Sequence, residues 1–127
     1  MAGTNQPKGT IEPKELKVLN DKYIGGIKAI VIDREVEIQR DEKGKETELI
    51  INPGLIFYLR KPDRGTIKFA MGKAVRSDGT IDSISGGEVI INKCWVGGCD
   101  DIKNQDIYWF RACMETNTYL NEITGFI

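Results

Sequence analysis

The sequence predicts an α+β protein with an N-terminal antiparallel β-hairpin or three-stranded sheet, followed by a three-helix C-terminal half. Two observations lead to this prediction. Between residues 24 and 61, the apolar residues alternate or run together as they do in strands. Between residues 63 and 123, they recur at helical spacing. Because strands and helices occupy separate halves of the chain, alternating βαβ units are not expected.

Length and composition favour one domain. The chain has 127 residues, of which 40% are hydrophobic, and this suffices for a single core. Residues 1–10 are polar with glycine and proline, so they are expected to form a loose tail. Neither a signal-peptide core nor an apolar run of about 20 residues is present, so no membrane association is expected.

A short first helix is predicted for residues 12–23. Pro13 suits the first helical position, because its missing N–H would have no helical partner there. Leu16, Leu19 and Tyr23 fall on one side of this helix. The pair Gly25-Gly26 is expected to end it.

Three strands are predicted next. Residues 27–40 are interpreted as one strand with a wet face, because residues 33–40 alternate between polar and apolar. A polar turn leads to a second strand at residues 46–51. Asn-Pro-Gly at residues 52–54 breaks that strand. The third strand, residues 55–60, is short and apolar on both sides, so it is expected to be central or covered.

The first helix of the second half is predicted for residues 63–76. Pro62 cannot donate to a sheet ladder and should end the preceding strand. Asp63 can accept from the exposed N–H groups of the first helical turn. A loop is expected at residues 77–80.

Two more helices are predicted. One begins near Ser85, where Ser85 and Glu88 have the spacing of a capping box, and it should extend to the glycines at 97 and 98. The other spans residues 104–123. Its expected core-facing residues are Ile107, Phe110, Met114 and Leu120.

The net charge of −1 argues against general nucleic-acid binding, which needs a basic excess. Charge is nevertheless uneven along the chain. Arg60, Lys61 and Arg64 lie within five residues of each other, whereas Asp100 and Asp101 belong to a smaller acidic group. These groups are either two solvated surfaces or two complementary contact surfaces in an assembly.

No catalytic, metal or cofactor site is predicted. The chain has no histidine, which excludes the usual hydrolase triad. Its three cysteines form an odd set, and the spacing of Cys94 and Cys99 is not usual for zinc, so reduced, buried thiols are expected. The glycine pairs match no phosphate-binding fingerprint. The sequence therefore favours binding or assembly over chemistry.

Trp95 and Trp109 each have two interpretations. A tryptophan at the end of an apolar helix can belong to the core, with its N–H bonded at the edge. It can also anchor an interface, because tryptophan is enriched among binding hot spots. For binding, we expect a groove between helices near Trp95 and Met71.

Two segments resemble the tail assembly chaperones of long-tailed bacteriophages and prophages. Residues 58–64 (YLRKPDR), followed by a helix rich in alanine and methionine, resemble the family's R-x-P-x-R segment. Residues 87–98 (GEVIINKCWVGG) resemble its G-E-x-L-L-x-x-C-W-I-G-G segment, and Asp100-Asp101 matches the acidic stretch that follows. Phe110-Arg111-Ala112 lies where the family has an aromatic-alanine helix. The resemblance covers about residues 56–120.

Two features depart from the family pattern. Cys99 stands where an acidic residue is expected. The strand-rich region before residue 56 is also more elaborate than the family's short leader. Both departures leave room for a different phage protein built on a related domain.

The resemblance implies a non-enzymatic protein in the cytoplasm of an infected bacterial host. Such chaperones bind the tape measure protein and help to recruit tail tube subunits. Under this hypothesis the groove near Trp95 and Met71 covers apolar surface on a client helix, and Arg60, Lys61 and Arg64 steer the client. The alternatives are a structural virion component, such as a head–tail connector or tail subunit, and a small regulatory binding module. Whether the chain forms a homo-oligomer stays open.

Overall fold

The computed structural model describes residues 6–125, which combine a small antiparallel sheet, a separate β-hairpin and several helices. In chain order, the elements are α1 Pro13–Lys22, β1 Ile27–Ile32, β2 Glu35–Arg40, β3 Glu46–Asn52, β4 Leu55–Arg60, α2 Arg64–Ala74, α3 Ser85–Cys94, β5 Trp95–Gly98, α4 Asp101–Asn104 and α5 Asp106–Thr124. The mixed class agrees with the prediction. The order agrees roughly with the prediction, with α1 where the first helix is expected, but β5 lies among the helices.

The central strand of the sheet is β4. It pairs antiparallel with β1 on one edge and with β5 on the other, so the order is β1-β4-β5. Phe57 and Leu59 are fully buried in the core beneath the helices, and Tyr58 is 2% exposed. This confirms that the apolar 55–60 run is central and covered, since a strand with only one buried face would alternate.

Part of the predicted loose tail is attached to the sheet. The Lys8 N–H donates to the Gly54 carbonyl at 2.9 Å, and the Ile56 N–H donates to the Lys8 carbonyl at 3.0 Å. The Ile11 N–H donates to the Tyr58 hydroxyl at 3.1 Å. The segment 8–11 therefore covers β4, and the tail prediction extends too far along the chain. Its first five residues lie outside the described part.

The predicted strand at 27–40 is wrong in one respect, since it is two strands with a corner between them. Asp33 takes a left-handed conformation with φ 59°, which Asp tolerates better than most residues. The chain then leaves the three-stranded sheet, and β2 pairs with β3 in a two-stranded sheet of its own. The alternating pattern of residues 33–40 thus belongs to a projecting hairpin.

Both α2 and α3 begin where expected, but only α2 has the predicted cap. The Asp63 carboxylate accepts from the Thr66 N–H at 2.8 Å and caps α2. The predicted capping box at Ser85 does not form, because Ser85 and Glu88 have other partners. Asp82 instead accepts from the Ile84 and Ser85 N–H groups, each at 2.9 Å.

The predicted helical course of residues 95–98 is also wrong. Helix α3 ends at Cys94, and Trp95–Gly98 form strand β5. Gly98 has φ 135°, and a Cβ there would meet the backbone of β4, so only glycine fits this pairing.

Helix α3 packs between α2 and α5, and its contact with α5 is unusually close. A Cβ built on Gly87 would overlap the Cys113 carbonyl oxygen, and one on Gly86 would lie 2.9 Å from Asn117 Oδ1. We call this contact the α3–α5 seam, formed by Gly86 and Gly87 against Cys113 and Asn117. Only small side chains fit where two helix backbones come this near.

The seam sets the rotation of α5 and overturns part of the predicted core. Its buried residues are Ala112, Cys113, Thr116, Asn117 and Leu120. Of the four expected core residues, only Leu120 is buried. Ile107, Phe110 and Met114 are exposed by 55%, 49% and 49%. Between residues 6 and 125 no helix is long and apolar enough to cross a bilayer.

Candidate functional site: an apolar face beside a tryptophan cavity

Trp95 and Trp109 line one cavity of about 450 Å³. The end of α3, the start of β5 and the start of α5 meet here. The remaining lining residues are Ile91, Asn92, Lys103 and Asp106. Both indoles are half-buried, so each contacts the core and still borders the open cavity. The two interpretations of each tryptophan, core residue or interface anchor, are therefore compatible.

Neighbouring groups fix the orientation of both indoles. The Trp95 ring stacks on Phe57 with centroids 5.5 Å apart and an interplanar angle of 4°. The Lys103 ammonium lies 4.3 Å from the Trp95 ring centroid, within the range of a cation–π contact. The Trp109 Nε1–H donates to Glu88 Oε2 at 2.9 Å. The cavity walls are thus held in place without a ligand, which lowers the entropic cost of binding.

An apolar face continues from the rim of this cavity along α5. Phe110 lies one helical turn after Asp106, which lines the cavity, and Met114 lies one turn further. Ile107, Phe110 and Met114 share a side of the helix, and about half of each side chain is exposed. At 1.5 Å per residue, the face spans about 10 Å of helix. We call these three residues the α5 apolar face.

Met71 does not belong to this surface. It packs, half-buried, against the core from α2 and is not among the residues that line the tryptophan cavity. Trp95 therefore lines this cavity together with Trp109 and without Met71.

Arg60 and Lys61 form a second surface, where β4 ends and α2 is about to begin. With Lys22, Tyr23, Ile24 and Pro62 they line a cavity of about 490 Å³, which we call the basic corner. Asp63 is its one anionic lining residue, and hydrogen bonds from Thr66 hold its carboxyl pKa below the ordinary range. Arg64 follows at the first position of α2 and is exposed. The basic corner and the tryptophan cavity share no lining residue.

Arg60 also has a role in the fold. Its Nη2 donates to the Lys93 carbonyl at 2.9 Å, which satisfies a group in the last turn of α3. Reversing its charge would disturb this helix end as well as any partner contact. Lys61 and Arg64 are cleaner positions for testing charge.

The cysteines and the potential metal ligands are placed as follows among the described residues. All three cysteines are buried, and burial raises the pKa of Cys113 to about 12 and also raises that of Cys94. Thiols with raised pKa values are poor nucleophiles near neutral pH. Among residues 6–125, no three metal-ligating side chains cluster.

The sequence does not predict the α5 apolar face, because isoleucine, phenylalanine and methionine at helical spacing are typical of a buried core face. The signal that could have revealed it is the pair Gly86-Gly87, since adjacent glycines inside a helix indicate a close approach by another backbone. No protein-family model, curated protein or solved structure matches the chain.

Proposed function

We propose that the chain is a non-enzymatic assembly chaperone of a phage or prophage tail, and that it binds an amphipathic helix of the tape measure protein. The observation that carries the proposal is the α5 apolar face, which starts at the tryptophan cavity and which no other described element covers. Exposed apolar side chains that adjoin one another are typical of protein-binding surfaces.

The dimensions favour a helical client. An amphipathic helix presents apolar residues every three or four positions, and two turns of it match about 10 Å of the α5 apolar face. One large apolar side chain of the client would enter the cavity between Trp95 and Trp109. Because both indoles are already fixed, the contact orders few side chains on binding.

The rim of this surface carries both positively and negatively charged side chains. Lys103 and Asp106 border the cavity, and Arg111 lies beside Met114 near the other end of the face. Such groups would fix the orientation of the client helix and contribute less to affinity than the apolar centre. The tape measure protein is proposed as the client on the strength of the resemblance at residues 58–64 and 87–98.

The test is co-purification with the tape measure protein after co-expression in bacteria. Phe110→Asp places a carboxylate at the centre of the α5 apolar face, and we expect it to reduce recovery of the client by about tenfold or more. Phe69→Asp is the matched control, because Phe69 is 51% exposed on α2, away from this face. Thermal unfolding of both variants checks that the fold survives. Equal recovery from the two variants would contradict the proposed surface.

A structural virion component is the second candidate, and the β2–β3 hairpin favours it. Both strands of this hairpin have an edge that is unpaired among the described residues, and open edges can pair between subunits. Mass spectrometry of purified particles separates the candidates. Stoichiometric amounts in the virion favour the structural component, whereas absence from the particle favours the chaperone.

A further inference from the structure

The β2–β3 hairpin exposes four large apolar side chains to solvent. Val36, Ile38, Leu49 and Ile51 are exposed by 40%, 52%, 44% and 55%. The register pairs Val36 with Ile50 and Glu37 with Leu49, so apolar side chains lie on both faces of the hairpin. An isolated two-stranded hairpin is marginally stable in water, and one with exposed apolar faces gains from being covered.

This hairpin is held as a defined projection. At its base, Arg111 Nη1 donates to both Asp33 carboxylate oxygens, at 2.7 and 2.8 Å. At its tip, Asp41 Oδ1 accepts from the N–H groups of Lys43 and Lys45, at 2.9 and 2.8 Å. The ion pair therefore ties the base of the arm to α5, and the hydrogen bonds of Asp41 close its turn.

The charge of the hairpin complements that of the basic corner. Residues 35–52 hold six acidic and three basic side chains, and the acidic ones alternate with apolar ones in Glu35-Val36-Glu37-Ile38. The basic corner has the reverse chemistry, with three cations around exposed apolar groups. Ile24 in that corner is 98% exposed. Complementary charge around apolar contacts is what gives an interface its register and specificity.

The two surfaces of one molecule lie at opposite ends of the sheet. The hairpin leaves from the end where Ile32 pairs with Leu55, and the basic corner begins at the end where Ile27 pairs with Arg60. Five residue steps along these strands separate the two ends by about 17 Å. No residue of the hairpin lines the basic corner of its own chain, so that corner is open to a second copy.

We propose that the hairpin of one copy docks in the basic corner of a second copy, so that the chain associates head to tail. The contact is heterologous: each copy contributes a hairpin at one end and a basic corner at the other. It uses no residue of the α5 apolar face or the tryptophan cavity. Self-association and client binding can therefore fail separately.

The test is the mass of the full chain in solution, measured by sedimentation equilibrium over a range of protein and salt concentrations. We expect the wild type to exceed monomer mass as protein concentration rises. We expect association to weaken in high salt, since 1 M salt shortens the screening length to about 3 Å. Ile38→Lys on the hairpin and Lys61→Glu in the basic corner should each raise the dissociation constant by about tenfold or more.

Two exposed positions outside the proposed contact serve as controls. Ile107→Lys changes an exposed isoleucine on α5, and Lys68→Glu reverses an exposed lysine on α2. Both variants should associate like the wild type, and thermal unfolding checks that all four variants fold. Losses in the controls that equal those in Ile38→Lys and Lys61→Glu would overturn the proposal, as would a wild type that stays monomeric at hundreds of micromolar.

A mixing experiment tests the head-to-tail geometry itself. The Ile38→Lys chain keeps an intact basic corner, and the Lys61→Glu chain keeps an intact hairpin. An equimolar mixture should therefore form a dimer of the two variants that grows no further. A mixture that stays monomeric would refute the heterologous contact.

Discussion

The α3–α5 seam and the β2–β3 hairpin use side chains in opposite ways. In the seam, small and polar residues are buried: Thr116 is 0% exposed and Asn117 is 6% exposed. Their side-chain oxygens have no hydrogen-bond partner within the described part of the chain. In the hairpin, Ile38 and Ile51 are about half exposed, although isoleucine usually belongs in the core.

The difference separates a region that holds the fold together from one that lies outside the core. The seam brings two backbones so close that Gly87 has no space for a Cβ, so proximity decides which residues it holds. The hairpin contributes nothing to the central core, and its apolar side chains are available for another molecule. Under the proposed docking, stability and binding depend on separate sets of residues, and substitutions can test that separation.

The largest effect is expected at the seam. Gly87→Val would drive two methyl groups into the backbone of Cys113, and one of the two helices would have to move. Overpacking of a tight core costs about 1–3 kcal/mol, and a backbone clash places this variant at about 3 kcal/mol or above. The free energy of unfolding in urea measures the loss.

Gly72→Ala is the matched control for the seam prediction. Gly72 also lies inside a helix, but a Cβ there meets no heavy atom within 4 Å. Alanine has the higher helix propensity, so this variant should gain up to about 1 kcal/mol. Equal effects of the two substitutions would mean that the seam is not the tight contact described above.

A pair of isoleucine truncations compares the core with the hairpin. Ile90 is 0% exposed in α3, and Ile90→Ala should lower the free energy of unfolding by about 2–5 kcal/mol. Ile38→Ala removes the same atoms from the hairpin and should change it by less than about 0.5 kcal/mol. Urea unfolding at low protein concentration, where monomer dominates, measures both values.

The change in the free energy of unfolding for Ile38→Ala decides whether the hairpin is separate from the core. A loss from Ile38→Ala that approaches the loss from Ile90→Ala would show that the hairpin belongs to the cooperative core. The proposal of a docking arm would then lose its basis.

Features decided by local chemistry could be predicted from the sequence. Strand β4 follows from its aromatic and aliphatic run, and the cap at Asp63 follows from a carboxylate next to the exposed N–H groups of a first turn. The start of α1 at Pro13 is local in the same way. None of these features depends on a distant part of the chain.

Features decided by tertiary contact were not predictable in this way. The apolar spacing of Ile107, Phe110 and Met114 indicated a core face, but the seam turned the opposite side of α5 inward. Strand β5 has four residues, two of them glycine, and it is recognisable only once β4 lies beside it. The sequence indicates Trp95 and Trp109 individually as core or interface residues, but their shared cavity depends on the packing of α3 against α5.

The smallest expected effect concerns pH and the start of α3, which leads into the seam. Hydrogen bonds from the Ser85 N–H, the Ser85 hydroxyl and the Ile84 N–H lower the pKa of Asp82 to about 2. Asp82→Ala removes this cap, and we expect a loss of about 1 kcal/mol in the free energy of unfolding at neutral pH.

The pH dependence of that loss has a definite sign. Because the folded pKa of Asp82 lies below its unfolded value, its carboxylate stabilises the fold fully above about pH 4, and the stabilisation is lost as pH falls towards about 2. The difference between wild type and Asp82→Ala should shrink over that range. Ser83→Ala, an exposed neighbour without a carboxylate, should show a small difference that does not change with pH. A difference at Asp82 that stays constant down to pH 2 would assign its role to packing rather than to the charged cap, and the start of the seam would then be insensitive to acid.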